Sequence, residues 1–364
     1  MADRYSEYRA VATSLGVDAV ALVPGPNFTR LMGMAFSTNE RPKVVVVPRD
    51  GPPAAVMPNL EITLFATLGF PGEVFDWRDQ TGYDDAFVAL ARHLPLKSVA
   101  VEGQAMRVFV SQALEKANPG LRIVDGEKPI SRLRIRKTAE EVAALEKAIR
   151  ISEAALADVL AKVRIGQTEK EVETMLVQAL FAHGADSLAF SPIIAASDNS
   201  AHSHAHARDD YRIRKGDPLL FDFGAAWGGF NADITRTVFV GEPGAEARDV
   251  YATVLAANLK GHEVTRAGIT AHDLDDAVIG VLEASPYADR IVTKTGHGLG
   301  RLVHEEPYIM RGNQQVLEAG MVYTNEPGLY KVGAFGVRIE DDILVTEDGC
   351  RSLTTFPRDL TIIG

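Results

Sequence analysis

Five residues of the 364-residue chain have the types and surroundings of a single cation site: Asp222, Asp233, His297, Glu326 and Glu340. Each lies inside or beside an apolar, glycine-punctuated stretch that reads as β-structure, where a charged carboxylate needs a partner. The first two occupy the arms of Leu219-Leu-Phe-Asp-Phe-Gly-Ala-Ala-Trp-Gly-Gly-Phe-Asn-Ala-Asp-Ile-Thr-Arg-Thr237, which reads as a hairpin turning at Gly228-Gly229. A turn centred between Trp227 and Gly228 predicts the two aspartates directly opposite one another, about 5 Å apart on one face. A slip of one pair makes them diagonal neighbours on that same face. Two buried acids so placed repel unless a cation or a proton lies between them. Four carboxylates and one imidazole form a hard, oxygen-rich set, suited to Mn²⁺, Co²⁺ or a carboxylate-bound Zn²⁺ pair rather than to copper or a thiolate-held zinc. Taken singly, the residues have plainer readings: Asp222 or Glu340 paired with Arg236 or Arg338, and His297 a satisfied loop histidine.

The elements that must position these residues change character along the chain. Up to about Gly126, valine-rich strands (Ala19–Val23, Lys43–Pro48, Ala54–Met57, Glu73–Asp76, Ser98–Glu102, Leu121–Val124) alternate with helical spacing at Arg4–Ser14, Asn27–Met34, Leu60–Leu68, Asp85–Leu94 and Gln104–Lys116. This predicts an α/β domain over 1–126. It carries no Walker loop and no Gly-x-Gly-x-x-Gly, so no nucleotide site is expected. The charged, proline-containing stretch 127–137 reads as a linker. From 138 to 364 the pattern is that of a second, larger α+β domain. Thr138 with Glu141 and Thr168 with Glu171 form capping boxes ahead of two helices. A strand Phe190–Ala196 leads into a loop holding His202, His204 and His206, then the hairpin. Helices at 245–265 and 271–284 precede strands Met321–Tyr330 and Gly336–Val345, which carry Glu326 and Glu340. Strand alternation puts Thr235 on the face of Asp233 and Arg338 on the face of Glu340, where each can orient or screen a ligand. His93, His183, His262 and His272 have no motif around them and read as surface residues.

A net charge of −11 argues against nucleic acid or an anionic membrane as partner. Arg132, Arg134, Arg136 and Lys137 are the only clustered cations and read as a solvated run. The single Cys350, the polar start and the lack of a bilayer-length apolar run lead to the expectation of a cytoplasmic protein.

The successive motifs Asp222-x-Gly, Asp233-Ile-Thr-Arg-Thr, Gly296-His-Gly-x-Gly with His304-Glu-Glu-Pro, Glu326-Pro-Gly-x-Tyr and Val337-Arg-Ile-Glu340-Asp resemble those of the pita-bread metallopeptidases. That family comprises methionine aminopeptidases, Xaa-Pro aminopeptidases, Xaa-Pro dipeptidases (prolidases) and creatinase. Residues 1–126 resemble the creatinase/prolidase N-terminal domain through the α/β pattern and Arg41…Asp50-Gly, which argues against methionine aminopeptidase. The resemblance implies two divalent ions. Asp222 would chelate one, Asp233 and Glu340 would bridge both, and His297 and Glu326 would complete the second, with Glu326 also shuttling a proton to the leaving nitrogen. It implies that His304 and His204 contact the substrate. Ser197-Asp-Asn199-Ser-Ala201-His-Ser-His204 departs from the family's usual Gly-Pro at its first two positions. The implied activity is hydrolysis of Xaa-Pro peptides by a homodimer, as a dipeptidase first, an Xaa-Pro aminopeptidase next, and a metal-free creatinase-like amidinohydrolase or a silent binding module last. A dipeptidase needs a cation for the free carboxylate of its substrate; Arg338 and the loop around Lys331 are near enough in sequence to contribute, with a partner subunit as the alternative source.

Overall fold

The computed structural model describes residues 4–364. They form two compact units, the first ending at Arg134 and the second running from Ile135 to Gly364.

The first unit is built on strands β1 (Ala19–Leu22), β2 (Val44–Pro48), β3 (Ala54–Pro58), β4 (Glu73–Trp77), β5 (Ser98–Val101) and β6 (Arg122–Asp125). They join in the order β4-β3-β2-β1-β5-β6, antiparallel at β1/β2 and β2/β3 and parallel elsewhere. The central strands read as unbroken apolar runs because both faces are covered. Val20, Leu22, Val45 and Val47 pack on one side with Tyr8, Phe28 and Leu31, from α1 (Ser6–Ser14) and α2 (Pro26–Met32), and with Phe65 of α3 (Asn59–Ala66). Ala19, Ala21, Val44 and Val46 face the other side with Phe87 and Leu90 of α4 (Asp84–His93) and Leu114 of α5 (Val108–Ala117). The expected linker is not extended: α6 (Glu127–Ser131) and a 3₁₀ turn Arg132–Arg134 occupy most of it. Nor is its basic run solvated throughout, since Arg134 is buried and the Lys137 ammonium, also buried, meets Glu305 Oε1 at 2.6 Å.

The second unit opens with α7 (Ala139–Leu160) and α8 (Glu169–Ala182), both with complete capping boxes. Its strands are β7 (Ser187–Leu188), β8 (Ile193–Ala196), β9 (Pro218–Phe223), β10 (Ala225–Trp227), β11 (Phe230–Asn231) and β12 (Ile234–Val240). They continue with β13 (Gly296–Gly298), β14 (Glu305–Ile309), β15 (Val322–Asn325), β16 (Gly328–Lys331), β17 (Phe335–Arg338), β18 (Asp341–Val345), β19 (Cys350–Ser352) and β20 (Thr361–Ile363). The main sheets are β20-β12-β9-β8 and β14-β13-β15-β18-β19, with smaller sheets β11-β10-β7 and β16-β17. Helices α7 and α8 cover the first through Leu156, Val159, Val172 and Leu176 against Ile194, Phe221 and Val238. Helices α9 (Ala245–Val264) and α10 (Ala271–Glu283) cover the second through Val254, Leu274 and Val278 against Tyr323 and Ile343. Two expected strands are each broken in two. Met321–Tyr330 divides at Glu326-Pro327, where proline has no N–H to donate, and Gly336–Val345 divides at Ile339-Glu340. At the first break the chain leaves the five-stranded sheet for the β16-β17 pair and at the second it returns, and each break holds one of the candidate ligands. Among the described residues, no helix is long and apolar enough to cross a membrane.

Candidate functional site

The hairpin fixes the first two acids. Its pairs Asp222↔Thr235, Phe223↔Ile234 and Trp227↔Phe230 centre the turn on Gly228-Gly229, one position beyond the register that opposes Asp222 to Asp233. Both turn glycines have positive φ, +59° and +77°, as a two-residue turn between twisted strands requires. The aspartates are therefore diagonal, not directly opposite. Between the arms, Gly224 lets the Ala232 carbonyl approach so closely that a Cβ there would lie 1.7 Å from its oxygen. The chain bends here, and Asp233 enters β12 with its N–H donated to Asp342 Oδ2 at 3.2 Å.

His297 stands between Gly296 and Gly298, each of which would drive a Cβ into a neighbouring backbone carbonyl. Its Nδ1 faces the Gly298 carbonyl at 3.2 Å, which turns Nε2 toward Glu326 Oε1 (3.2 Å) and Asp233 Oδ2 (3.8 Å). Glu326 Oε1 accepts from Thr324 Oγ1 at 3.1 Å. The Glu340 N–H donates to the Thr235 carbonyl at 3.1 Å, and Thr235 Oγ1 donates to Glu340 Oε2 at 2.5 Å. Arg338 donates to Thr235 Oγ1 (3.0 Å), to Tyr330 Oη (2.7 Å) and to Asp222 Oδ2. Thr235 and Arg338 thus form a relay that holds Asp222 and Glu340 in place.

Ligand atoms of Asp222, Asp233 and Glu340 lie within 4.8 Å of one another, as do those of His297, Glu326 and Glu340 and those of Asp233, His297 and His304. Burial, reinforced by the Glu340 and Asp222 charges, pushes Asp233 well above the ordinary carboxylate range. Burial and the Glu326 and Asp222 charges do the same to Glu340. Burial also raises Asp222, against the opposing Arg338 charge. Glu326 resists burial through its bond to His297 and stays below its usual value. Asp222 Oδ1 is buried without a hydrogen-bond partner. Converging acids, an orphaned carboxylate oxygen and an imidazole nitrogen aimed at carboxylate oxygens fit divalent cations, which relieve all three at once.

These groups line one wall of a cavity of about 660 Å³. His204 and His304 line it too, whereas His202 and His206, on either side of His204, do not. His304 stacks on His297 with ring centroids 3.9 Å apart. Lost hydration and the His297 ring hold it down at about 4, so it is neutral at pH 7. Sequence reasoning missed the apolar wall of Phe190, Ile193, Val292 and Val303, and also Lys294. Lys331, expected near the substrate, is exposed and outside the lining, and Arg338 is committed to Asp222, Thr235 and Tyr330. His262 was expected at the surface but reaches Asp341 Oδ2 at 3.2 Å.

Residues 143–347 match metallopeptidase family M24, and residues 4–136 match the creatinase/prolidase N-terminal domain. A probable dipeptidase PepE of Mycobacterium tuberculosis is 34% identical, over 100% of this chain and 97% of that protein. An Xaa-Pro dipeptidase of Pyrococcus furiosus is 37% identical over 72% of this chain and 75% of its own. The crystal structure of a prolidase from Thermococcus sibiricus superposes with a TM-score of 0.92 at 32% identity, covering 99% of this chain and 98% of that one. The fold is the pita-bread architecture behind a creatinase-like N-terminal domain, and the chain belongs to metallopeptidase family M24.

Proposed function

We propose that the chain is an Xaa-Pro dipeptidase whose five ligands, Asp222, Asp233, His297, Glu326 and Glu340, hold two divalent ions, Mn²⁺ or Co²⁺ before Zn²⁺. The observation that carries this is the convergence of all five on one cavity that also presents His204 and His304. Asp222 would serve one ion, Asp233 and Glu340 would be shared, and His297 and Glu326 would serve the other. When bound, such a pair supplies Lewis acidity and a water of lowered pKa. The chain's own groups do the rest. Glu326, a carboxylate kept ionised by His297, accepts a proton and returns it to the leaving nitrogen. Neutral His304 offers an N–H to charge developing on the scissile carbonyl, and His204 does so from another part of the cavity wall. Arg338 keeps Asp222 oriented.

Lys294 supports the dipeptide reading. Its side chain lines the cavity and its ammonium lies 5.9 Å from the centroid of the Tyr308 ring, a weak contact that leaves its N–H donors able to turn to the substrate's terminal carboxylate. The test compares an Xaa-Pro dipeptide, its C-terminal amide and an Xaa-Pro-containing tripeptide, in added Mn²⁺ or Co²⁺ with metal analysis of the same sample. The dipeptide should be the best substrate. Lys294→Met should raise its KM about tenfold while leaving the amide unchanged, the loss expected for one charge-assisted hydrogen bond. Preference for the tripeptide would make the protein an aminopeptidase. Metal-loaded protein that turns over none of the three would end the proposal.

A further inference from the structure

The loop that carries His204 leaves the end of β8 at Ala196 and returns at Arg208, and both of its ends meet a single buried side chain. Glu169, at the first turn of α8, is 0% exposed and lies outside the cavity lining. Its Oε1 accepts the Ala196 N–H at 2.7 Å and Arg208 Nη2 at 2.9 Å. Its Oε2 accepts Asn199 Nδ2 at 2.9 Å, the Arg208 N–H at 2.7 Å and Arg208 Nε at 3.1 Å. Three further bonds cross the base of the loop, Arg208 Nη2 to the Ala196 carbonyl (3.0 Å), Arg208 Nη1 to Asp198 Oδ1 (3.1 Å) and Asn199 Nδ2 to the His206 carbonyl (3.0 Å). The entry is also fixed in the 3₁₀ turn Ser197–Ala201, where Ser200 Oγ accepts the Gly336 N–H at 2.9 Å. At the exit, the Glu169 carboxylate is joined by one main-chain bond, from the Lys170 N–H to the Arg208 carbonyl at 3.1 Å.

We propose that Glu169 is the positioning residue for His204. By closing the base of the 196–208 loop, it sets the height at which the imidazole stands in the cavity. Five accepted hydrogen bonds are more than packing a helix start requires, since the first turn of α8 is already satisfied by its Thr168–Glu171 capping box. The acceptor must be ionic. A carboxylate offers lone pairs to every one of these donors, whereas the amide of glutamine would turn an N–H₂ group onto Ala196 N–H or Arg208. His204 itself is exposed and, among the described residues, has no hydrogen bond or ion pair of its own to the cavity wall, so its placement depends on the loop base.

This rests on the reading of His204 as a group that faces the substrate, and a double-mutant cycle in the metal-loaded protein separates the two ideas. With an Xaa-Pro dipeptide, Glu169→Gln should lower kcat roughly 10–100-fold, as a misplacement near 1 Å does, with metal content retained and KM changed much less. In a His204→Ala background the same substitution should cost little more, because the group it positions is gone. An equal loss in both backgrounds, or no loss with His204 present, overturns the proposal. Should His204→Ala alone leave kcat intact while Glu169 is native, the His204 reading fails first and the inference falls with it. Arg208→Gln, at a partly exposed position, repeats the cycle from the other partner. It should show the same dependence on His204 with a smaller loss, and it decides the matter if Glu169→Gln does not fold.

Discussion

Asp233→Asn should empty the site and abolish turnover together, whereas His304→Ala should keep its metal and lose rate. Asp233 has ligand atoms close to Asp222 and Glu340 on one side and to His297 on the other, so with Glu340 it is one of two carboxylates common to both halves of the cluster. The asparagine variant keeps the shape but removes one anion and places an amide N–H₂ where a cation belongs. Loss of even an outer partner of a metal site costs about 10–100-fold in affinity, and loss of a shared ligand should exceed that. His304 lies at the margin of the cluster, exposed to the cavity, and its removal should cost roughly 10²–10³-fold in kcat through lost stabilisation of developing charge. Metal content after gel filtration, measured beside kcat, decides. Full activity in Asp233→Asn would remove the shared-ligand assignment.

The same acids give the site a pH signature. Asp222, Asp233 and Glu340 have folded-state values above those of the unfolded chain, so without metal they bind protons in the native state that the unfolded state has released. Stability from these groups is full below the ordinary carboxylate range and is lost as pH rises through their raised values. Metal-stripped protein should therefore lose stability on going from pH 5 toward pH 8. Added Mn²⁺ should raise Tm more at the higher pH and release protons as it binds. Calorimetry of Mn²⁺ binding in two buffers of different ionisation enthalpy would count them. Equal stabilisation at both pH values with no proton release would mean that the cluster is already ionised before metal arrives.

What the sequence could show of this site was residue type and spacing, because both follow from local rules. Alternation placed Thr235 and Arg338 near the ligands, and the capping boxes located α7 and α8 to the residue. The hairpin register was ambiguous by one pair, since Gly228-Gly229 can be entered at either position until the cross-strand partners Trp227 and Phe230 choose. Glu326 and Glu340 sit in stretches that read as continuous strands. They are breaks instead, because the second sheet pulls the chain away at those points, and no local pattern encodes that. Lys294, Glu169 and the Asp341 network were missed for the same reason. Their partners are 12 or more residues away in sequence, and a lone lysine or glutamate at a helix start resembles any surface charge.

Arg236→Met should destabilise the protein by about 3–5 kcal/mol, because it takes a cation from the buried Asp341 carboxylate and leaves four backbone carbonyls without their donor. Arg236 is 2% exposed and uses every face of its guanidinium. Nη1 donates to the Thr235 and Glu340 carbonyls at 2.9 and 2.6 Å, Nη2 to Asp341 Oδ1 (2.8 Å) and the Phe356 carbonyl (2.7 Å), and Nε to the Pro357 carbonyl (2.9 Å). It therefore ties β12, just after Asp233, to the break that presents Glu340. Burial alone would raise Asp341, but Arg236, His262 and Arg358 hold it below its usual value. Its contribution is thus present above the ordinary carboxylate range and is lost only as pH falls through that depressed value. Without Arg236, burial acts against one cation fewer, and the carboxyl moves upward. The deficit relative to wild type should then be largest at neutral pH and shrink toward acid. Replacing both partners, Arg236→Met with Asp341→Leu, should recover part of the loss, since the fully buried carboxylate goes with its buried cation and the arginine that then loses a partner, Arg358, is partly exposed. Denaturant melts of the two variants at pH 7 and pH 4 measure all of this, and an Arg236→Met protein that melts with wild type at pH 7 would show that Arg358 and His262 suffice to hold Asp341.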